Sequence, residues 1–149
     1  MNKPPFVFAG PKAPTIEKIK PNNISLLIVG DSHDKKYIQE LKNNYQSDNI
    51  IFVGKVNHLK AFLYLNASEL SLIPTNNVRV SPGSPLKLFD AIACGKPVAV
   101  QQNTTGYSDI VTRYKLGMTT DFNNPIKASY DICEFINNLS FTNYVANNR

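Results

Sequence analysis

The sequence predicts an α/β fold in which a doubly wound parallel sheet of about six strands carries helices on both faces. Six short apolar runs are continuous rather than alternating, which is typical of strands that are covered on both faces. Between these runs, apolar residues recur at the spacing of a helical stripe. Repeated strand–helix–strand order favours right-handed crossovers, and therefore a parallel sheet.

The predicted strands are spaced along most of the chain. They cover residues 6–9, 25–30, 50–54, 70–74, 97–101 and 117–120. Only about fifteen residues, three of them prolines, separate the first two strands. A full crossover helix hardly fits there, because such a connection needs roughly a dozen residues or more. We therefore expect the first crossover to be abbreviated.

Helical patterns fill the later intervals, at residues 34–46, 58–67, 85–94, about 107–113 and 126–138. In the first of these, Tyr37, Ile38, Leu41 and Tyr45 form one apolar stripe, and Asp34 stands near its start. The pattern at residues 58–67 predicts that Leu59, Phe62 and Leu63 are buried.

The length of 149 residues predicts one domain, over residues 1–140, with a polar tail at 141–149. No apolar run approaches the roughly 20 residues that span a bilayer, and the start of the chain has no apolar signal region. We therefore expect a cytoplasmic protein.

The net charge of +5 is compatible with peripheral association at the inner face of an anionic membrane. The basic residues form no stripe with interleaved aromatics, so no nucleic-acid partner is expected.

The most informative segment is residues 84–98. Ser84 is a good N-cap and Pro85 suits the first helical position, since its missing N–H would be unpaired there anyway. Gly95 fits the position just past the helix, and Pro97 prevents its continuation. A helix that starts after a buried strand places free amides and its positive dipole end at the carboxyl edge of the sheet. The segment therefore predicts an anion site, where open α/β sheets bind phosphorylated ligands.

No familiar catalytic or cofactor motif accompanies this helix. The phosphate-binding glycine motifs, the zinc-binding helix motif and the nucleophile elbow are all missing. His33 and His58 are isolated, and no set of residues has the spacing of a metal cage. We expect no metal and no cofactor, so any chemistry would run on an activated substrate.

Residues 84–98, together with 106–111 and Leu116-Gly117, resemble the C-terminal, nucleotide-sugar-binding domain of family 4 retaining glycosyltransferases. Blocks at residues 26–31, 51–56 and 67–74 resemble their counterparts in the same order, so the resemblance covers about residues 24–138. It implies a GT-B enzyme, in which two Rossmann-like domains face each other across a cleft. It also implies a UDP- or GDP-linked sugar as substrate, a hexosyltransferase activity and a role in polysaccharide biosynthesis.

The resemblance implies a ribose contact for Asp90, which matches the second acid of the family's Glu-x7-Glu motif. A carboxylate suits this role because it accepts hydrogen bonds from two neighbouring hydroxyls. The alternative is a surface acid that pairs with Lys87 on the same helix.

The donor diphosphate would bind the start of this helix, at the amides of Ser84 and Leu86 beside Gly83. Lys87 is long enough to reach a phosphate or to extend into solvent. Lys12 follows Gly10-Pro11, where family members carry basic residues, although a solvated lysine is the simpler interpretation.

Gly54, Lys55 and Val56 follow a strand at the position where the family's backbone contacts the base. A simple strand-to-helix turn explains these residues equally well.

Two features depart from the family pattern. Pro82 stands where the first acid of the motif is expected, and Arg79 in the same loop is the best substitute for it. The N-terminal acceptor-binding domain is missing from these residues, so the isolated chain is expected to bind a donor and transfer nothing. The alternative is a non-catalytic nucleotide-binding or protein-association module with the same fold.

Overall fold

A computed structural model of the chain describes residues 6–9, 24–45, 47–74 and 86–138. The strands are β1 (Phe6–Ala9), β2 (Ser25–Val29), β3 (Ile50–Gly54), β4 (Leu70–Ile73), β5 (Val98–Gln101) and β6 (Gly117–Thr120). The helices are α1 (Lys35–Asn44), α2 (His58–Ala67), α3 (Leu86–Ala93), α4 (Ser108–Tyr114) and α5 (Pro125–Asn138).

All six strands form one parallel sheet in the order β3-β2-β1-β4-β5-β6. This is the strand order of dinucleotide-binding Rossmann folds. The predicted fold class is confirmed, and the predicted strands agree with the observed ones to within one residue at each end. The segment predicted to be abbreviated, between β1 and β2, lies mostly outside the described residues.

Apolar cores cover both faces of the sheet. One core places Leu70, Leu72 and Ala99 against α5, and the other packs Ile73, Val98 and Val100 against α2, α3 and α4. Consecutive residues of β4 and β5 thus point to opposite faces, and both faces are dry. This explains why their sequences are continuous apolar runs.

The predicted apolar face of α2 is wrong at Leu59 and Leu63, although Phe62 packs against the core as predicted. Leu59 is 79% exposed and Leu63 is 69% exposed, whereas Leu65 is buried and Phe62 is half-buried. The helix carries apolar residues at helical spacing on two of its sides, so periodicity alone did not identify the side that packs. Leu65 and Phe62 belong to the core beneath α2, and the side with Leu59 and Leu63 faces outward.

Helix α1 is also less buried than its stripe predicts. Asp34, which was expected only to stand near its start, is the N-cap, since its side chain accepts a hydrogen bond from the Tyr37 amide at 3.0 Å. No residue within α1 is buried, and Tyr37 is exposed. The edge strand β3 is only half-buried itself, so the sheet offers less cover at this side than at its centre.

The backbone of Gly117, which pairs with Val98 of β5, would direct a side chain into that neighbouring strand. Gly117 has φ of +152°, and a Cβ atom built on it would lie 1.9 Å from the Val98 carbonyl oxygen. The Val98 amide meanwhile donates to the Leu116 carbonyl at 3.0 Å. Only glycine fits at position 117 without a shift of the backbone, because the atoms in the way belong to the Val98 main chain.

Candidate functional site

The strand order places the candidate site at the carboxyl edge of the sheet, between β1 and β4. The chain winds in one direction from β1 to β3 and in the other from β4 to β6. In an open parallel sheet, such a reversal of strand order marks the crevice in which ligands bind, at the carboxyl ends of the strands. Helices α2 and α3 both begin at this edge, because each follows a strand and returns the chain to the opposite edge.

Helix α3 is held rigidly beside the crevice. Leu88 and Ala91 are completely buried in the core, which fixes the rotation of the helix. Its end is closed by two hydrogen bonds, from the Gly95 amide to Ile92 O at 2.8 Å and from the Lys96 amide to Ala91 O at 2.9 Å. Gly95 has φ of +66°, so the predicted glycine stop is confirmed as a Schellman motif.

Asp90 lies half-buried in α3, between the buried residues and the exposed Phe89. No described residue forms a hydrogen bond or an ion pair with its carboxylate. The three ion pairs found among the described residues join other side chains, so Lys87 and Asp90 are not paired. The alternative of an intrahelical ion pair is therefore not supported, and the carboxylate is open to a ligand.

The Cys94 thiol lies one turn further along the same side of α3. Burial, together with the negative charge of Asp90, raises the pKa of this thiol. Asn66 of α2 donates its amide hydrogen to the Cys94 sulfur at 3.6 Å. This contact shows that α2 and α3 are neighbours and that the Asp90 side of α3 faces the gap between them.

The turn between β3 and α2 carries the residues expected to contact a base. Gly54 has φ of +80°, and its carbonyl oxygen accepts a hydrogen bond from the Gly30 amide at 2.9 Å. Lys55 is exposed and Val56 is half-buried. Asn57 then caps α2 by accepting from the Lys60 amide at 2.9 Å. The turn is thus tied to the end of β2, at the same edge of the sheet as the start of α3.

The remaining predicted site residues lie outside the described residues. They are Lys12, Arg79, Gly83 and Ser84, as is Pro82, the departure from the family motif. Leu86 is the first described residue of α3, and its side chain is exposed, as is that of the neighbouring Lys87.

Sequence reasoning gave no role to Gln101, which is a buried polar residue at the end of β5. Its side-chain Oε1 accepts a hydrogen bond from the buried Phe122 amide at 2.8 Å, and its side-chain Nε2 donates one to the Asp121 carboxylate at 3.1 Å. The hydrogen bond from Gln101, supported by the Asn123 amide, lowers the pKa of Asp121. Gln101 therefore ties the ends of β5 and β6 together. The available signal was a single polar residue that ends an otherwise apolar strand.

Asp31 follows β2 at this edge, but its carboxylate is already engaged. It pairs with Lys35 one turn later and accepts from the Ser32 amide at 2.8 Å. These contacts lower the pKa of Asp31. Because the Asp31 oxygens already accept hydrogen bonds from residues at the start of α1, Asp90 is the better candidate for a ligand contact.

A search for groups of three or more histidine, cysteine or carboxylate side chains able to hold a metal finds none among the described residues. Within the same part of the chain, every helix is too short or too polar to cross a bilayer.

The fold resembles that of two solved structures. HepE from Anabaena, in complex with UDP and glucose, matches with a TM-score of 0.74 at 18% identity over 97% of this chain and 42% of that chain. Sucrose-phosphate synthase from Thermosynechococcus elongatus matches with a TM-score of 0.75 at 19% identity over 97% of this chain and 39% of that chain. At these identities the likeness shows the fold alone.

Sequence comparison gives the family. An uncharacterized glycosyltransferase of Methanocaldococcus jannaschii is 28% identical over 115 residues, which are 77% of this chain and 28% of that protein. The chain thus spans well under half the length of the proteins it matches. The family described as glycosyl transferases group 1 matches residues 13–149. Because that match covers nearly the whole chain, this protein belongs to the glycosyl transferases group 1 family.

Proposed function

We propose that the chain is the donor-binding, C-terminal half of a family 4 retaining glycosyltransferase of the GT-B type. It binds a UDP- or GDP-linked sugar whose hexosyl group is transferred to a glycan, lipid or other acceptor. The observation that carries the proposal is Asp90. Its carboxylate is half-buried, lacks a partner among the described residues and stands on a helix that begins at the crevice.

Each part of the nucleotide has a proposed contact. Asp90 accepts hydrogen bonds from the two ribose hydroxyls, and the backbone of Gly54, Lys55 and Val56 borders the base. The diphosphate binds at the start of α3, where the free amides and the helix dipole favour negative charge. The proposed diphosphate contacts are Gly83, Ser84, Leu86, Lys87, Arg79 and Lys12.

The same contacts would assist transfer. Negative charge develops on the leaving diphosphate as the bond to the sugar breaks, and amides and cations placed beforehand stabilise it without reorganising. The acceptor side of the cleft would come from a further domain. The partial coverage of the matched proteins supports this division, and we expect the chain alone to bind donor nucleotide without transferring sugar.

Calorimetric titration with UDP and GDP tests donor binding, and 2′-deoxy-UDP tests the role of Asp90. A hydrogen bond to a charged group is worth roughly 1.5–3 kcal/mol, so Asp90→Ala should weaken UDP binding by at least about ten- to a hundredfold, the equivalent of one such bond. The wild type should prefer UDP to 2′-deoxy-UDP, and Asp90→Ala should remove most of that preference. Glu134→Gln is the matched control, since Glu134 is an exposed carboxylate on α5.

Two results would count against the proposal. If the wild type binds neither nucleotide, the chain is better described as a non-catalytic module of the same fold. If Asp90→Ala weakens UDP and 2′-deoxy-UDP equally, the carboxylate supports the site without touching the ribose.

A further inference from the structure

The outward side of α2 and the first turn of α3 expose four large apolar side chains. They are Leu59, Leu63, Leu86 and Phe89, and the first three are between 67% and 79% exposed. Phe89 is 47% exposed. Both helices lie on the same face of the sheet and both begin at its carboxyl edge, so we treat these four side chains as one area, the α2–α3 surface.

Charge is distributed unevenly between the two faces of the sheet. Residues 49–120, which contain α2, α3 and α4, carry six described lysines and arginines against the three acids Glu69, Asp90 and Asp109. Residues 31–48 and 121–138, which contain α1 and α5, carry seven acids against four lysines. All three ion pairs among the described residues belong to α1 and α5 or to the loop before α1. The lysines near the α2–α3 surface, Lys55, Lys60 and Lys87, thus have no anionic partner in the described part of the chain.

We propose that the α2–α3 surface docks on an anionic lipid bilayer. Exposed leucine and phenylalanine side chains can enter the boundary between headgroups and acyl chains, while neighbouring lysines attract the negative surface. A protein partner would also cover apolar residues. A bilayer matches both features of this surface, because its acyl chains accept the four apolar side chains and its anionic headgroups attract the neighbouring lysines that lack an anionic partner. The surface lies beside the carboxyl edge of the sheet, so docking would bring the proposed donor site close to the membrane.

Vesicle co-sedimentation of the full chain tests the proposal, with phosphatidylcholine vesicles and with equimolar phosphatidylglycerol and phosphatidylcholine. The wild type should bind the anionic vesicles, and binding should fall with added salt because surface charges are screened. The double variant Leu59→Glu/Leu63→Glu should lower the partition coefficient by roughly tenfold or more. Both positions are exposed and lie outside the proposed nucleotide contacts, so UDP affinity should not change.

The matched control is Ile126→Glu/Tyr130→Glu. These two residues are also four positions apart on one helix, with exposures of 53% and 73%, but they lie on α5 at the opposite face of the sheet. This control should keep vesicle binding. The single variant Lys60→Glu provides a second test, since a glutamate three residues after the Asn57 cap suits a helix start. It should reduce binding to anionic vesicles only.

Three results would overturn the proposal. The first is no binding of the wild type to anionic vesicles, or equal binding to neutral ones. The second is an equal loss of binding in the α5 control. The third is a dimer that sediments in the absence of lipid and dissociates in Leu59→Glu/Leu63→Glu, which would make the surface an interface between copies of the chain. Loss of UDP binding in Asp90→Ala tests the donor site separately and leaves this inference untouched.

Discussion

The substitution Gly117→Ala should be among the most damaging single changes in the described part of the fold. A Cβ atom at this position would lie 1.9 Å from the Val98 carbonyl oxygen, 2.6 Å from its nitrogen and 2.8 Å from its carbonyl carbon. All three are backbone atoms of a completely buried strand residue, so no side chain can rotate to relieve the clash.

The expected loss of unfolding free energy follows from the backbone shift that the substitution requires. Restoring an ordinary contact of 3.4 Å requires the two backbones to separate by about 1.5 Å. This would break the hydrogen bond from the Val98 amide to Leu116 and the register of β5 with β6. A buried amide left without a partner costs about 1–3 kcal/mol. The backbone conformation at φ +152° adds about 1–3 kcal/mol for a residue with a side chain. The free energy of unfolding should therefore fall by about 4 kcal/mol, a large share of the roughly 5–15 kcal/mol of a typical domain.

Urea unfolding followed by circular dichroism measures this loss. Gly95→Ala and Gly106→Ala are the controls, since these glycines have φ of +66° and +81° but would place a Cβ atom in open space. Each control should cost only the backbone strain, about 1 kcal/mol. Equal losses in Gly117→Ala and the two controls would refute the steric argument and show that the strands separate easily.

Three further changes test individual contacts by the same unfolding assay. Gln101→Ala should lower stability by about 1–3 kcal/mol, because it leaves the buried Phe122 amide without an acceptor; Gln101→Glu, which keeps an acceptor, should cost less at low pH than at neutral pH. Asp131 accepts from Thr120 at 2.6 Å and pairs with Lys127, and although burial opposes them, these contacts lower its pKa. Their stabilisation is therefore complete above the unfolded pKa of 3.8 and lost as the pH falls through the lower folded value, so Asp131→Asn should be destabilising at pH 7 and progressively less destabilising as the pH falls below 3.8. Lys115 ends α4 in the left-handed region at φ 53°, so Lys115→Gly should stabilise the protein by roughly 1 kcal/mol, and an unchanged or lower unfolding midpoint would contradict this.

Elements with local chemical signals could be predicted from the sequence. Gly95 and Pro97 marked the end of α3, Asp34 marked the start of α1, and continuous apolar runs marked strands covered on both faces. These signals depend on a few adjacent residues and on backbone conformation, so tertiary contacts did not alter them.

The burial of individual helix sides could not be predicted. Helix α2 carries Leu59 and Leu63 on one side and Phe62 and Leu65 on another, and both sets satisfy helical periodicity. The choice between them depends on how the helix lies on β1 and β2, which is a tertiary property. Gln101 was missed for a similar reason, because its partners Asp121 and Phe122 come from a different strand end.

The site was predictable in part. Asp90 lies half-buried on the predicted helix, and the alternative ion pair with Lys87 is not found among the described residues. Its ribose contact remains a prediction, as do the base contacts at Gly54, Lys55 and Val56. The phosphate contacts at Lys12, Arg79, Gly83 and Ser84 also remain predictions, because they lie outside the described residues.

The position of β1 in the sheet has a consequence for assembly of the chain. This four-residue strand comes first in the sequence yet pairs with β2 on one side and β4 on the other, with Val7 opposite both Leu26 and Leu70. The β1–β4 pairing therefore joins residues far apart in the chain, and such contacts form slowly. Without β1, the sheet would divide into β2-β3 and β4-β5-β6, each with an open edge at the centre of the present sheet. Loss of so short a strand would leave those inner edges unpaired and expose them to association with other chains.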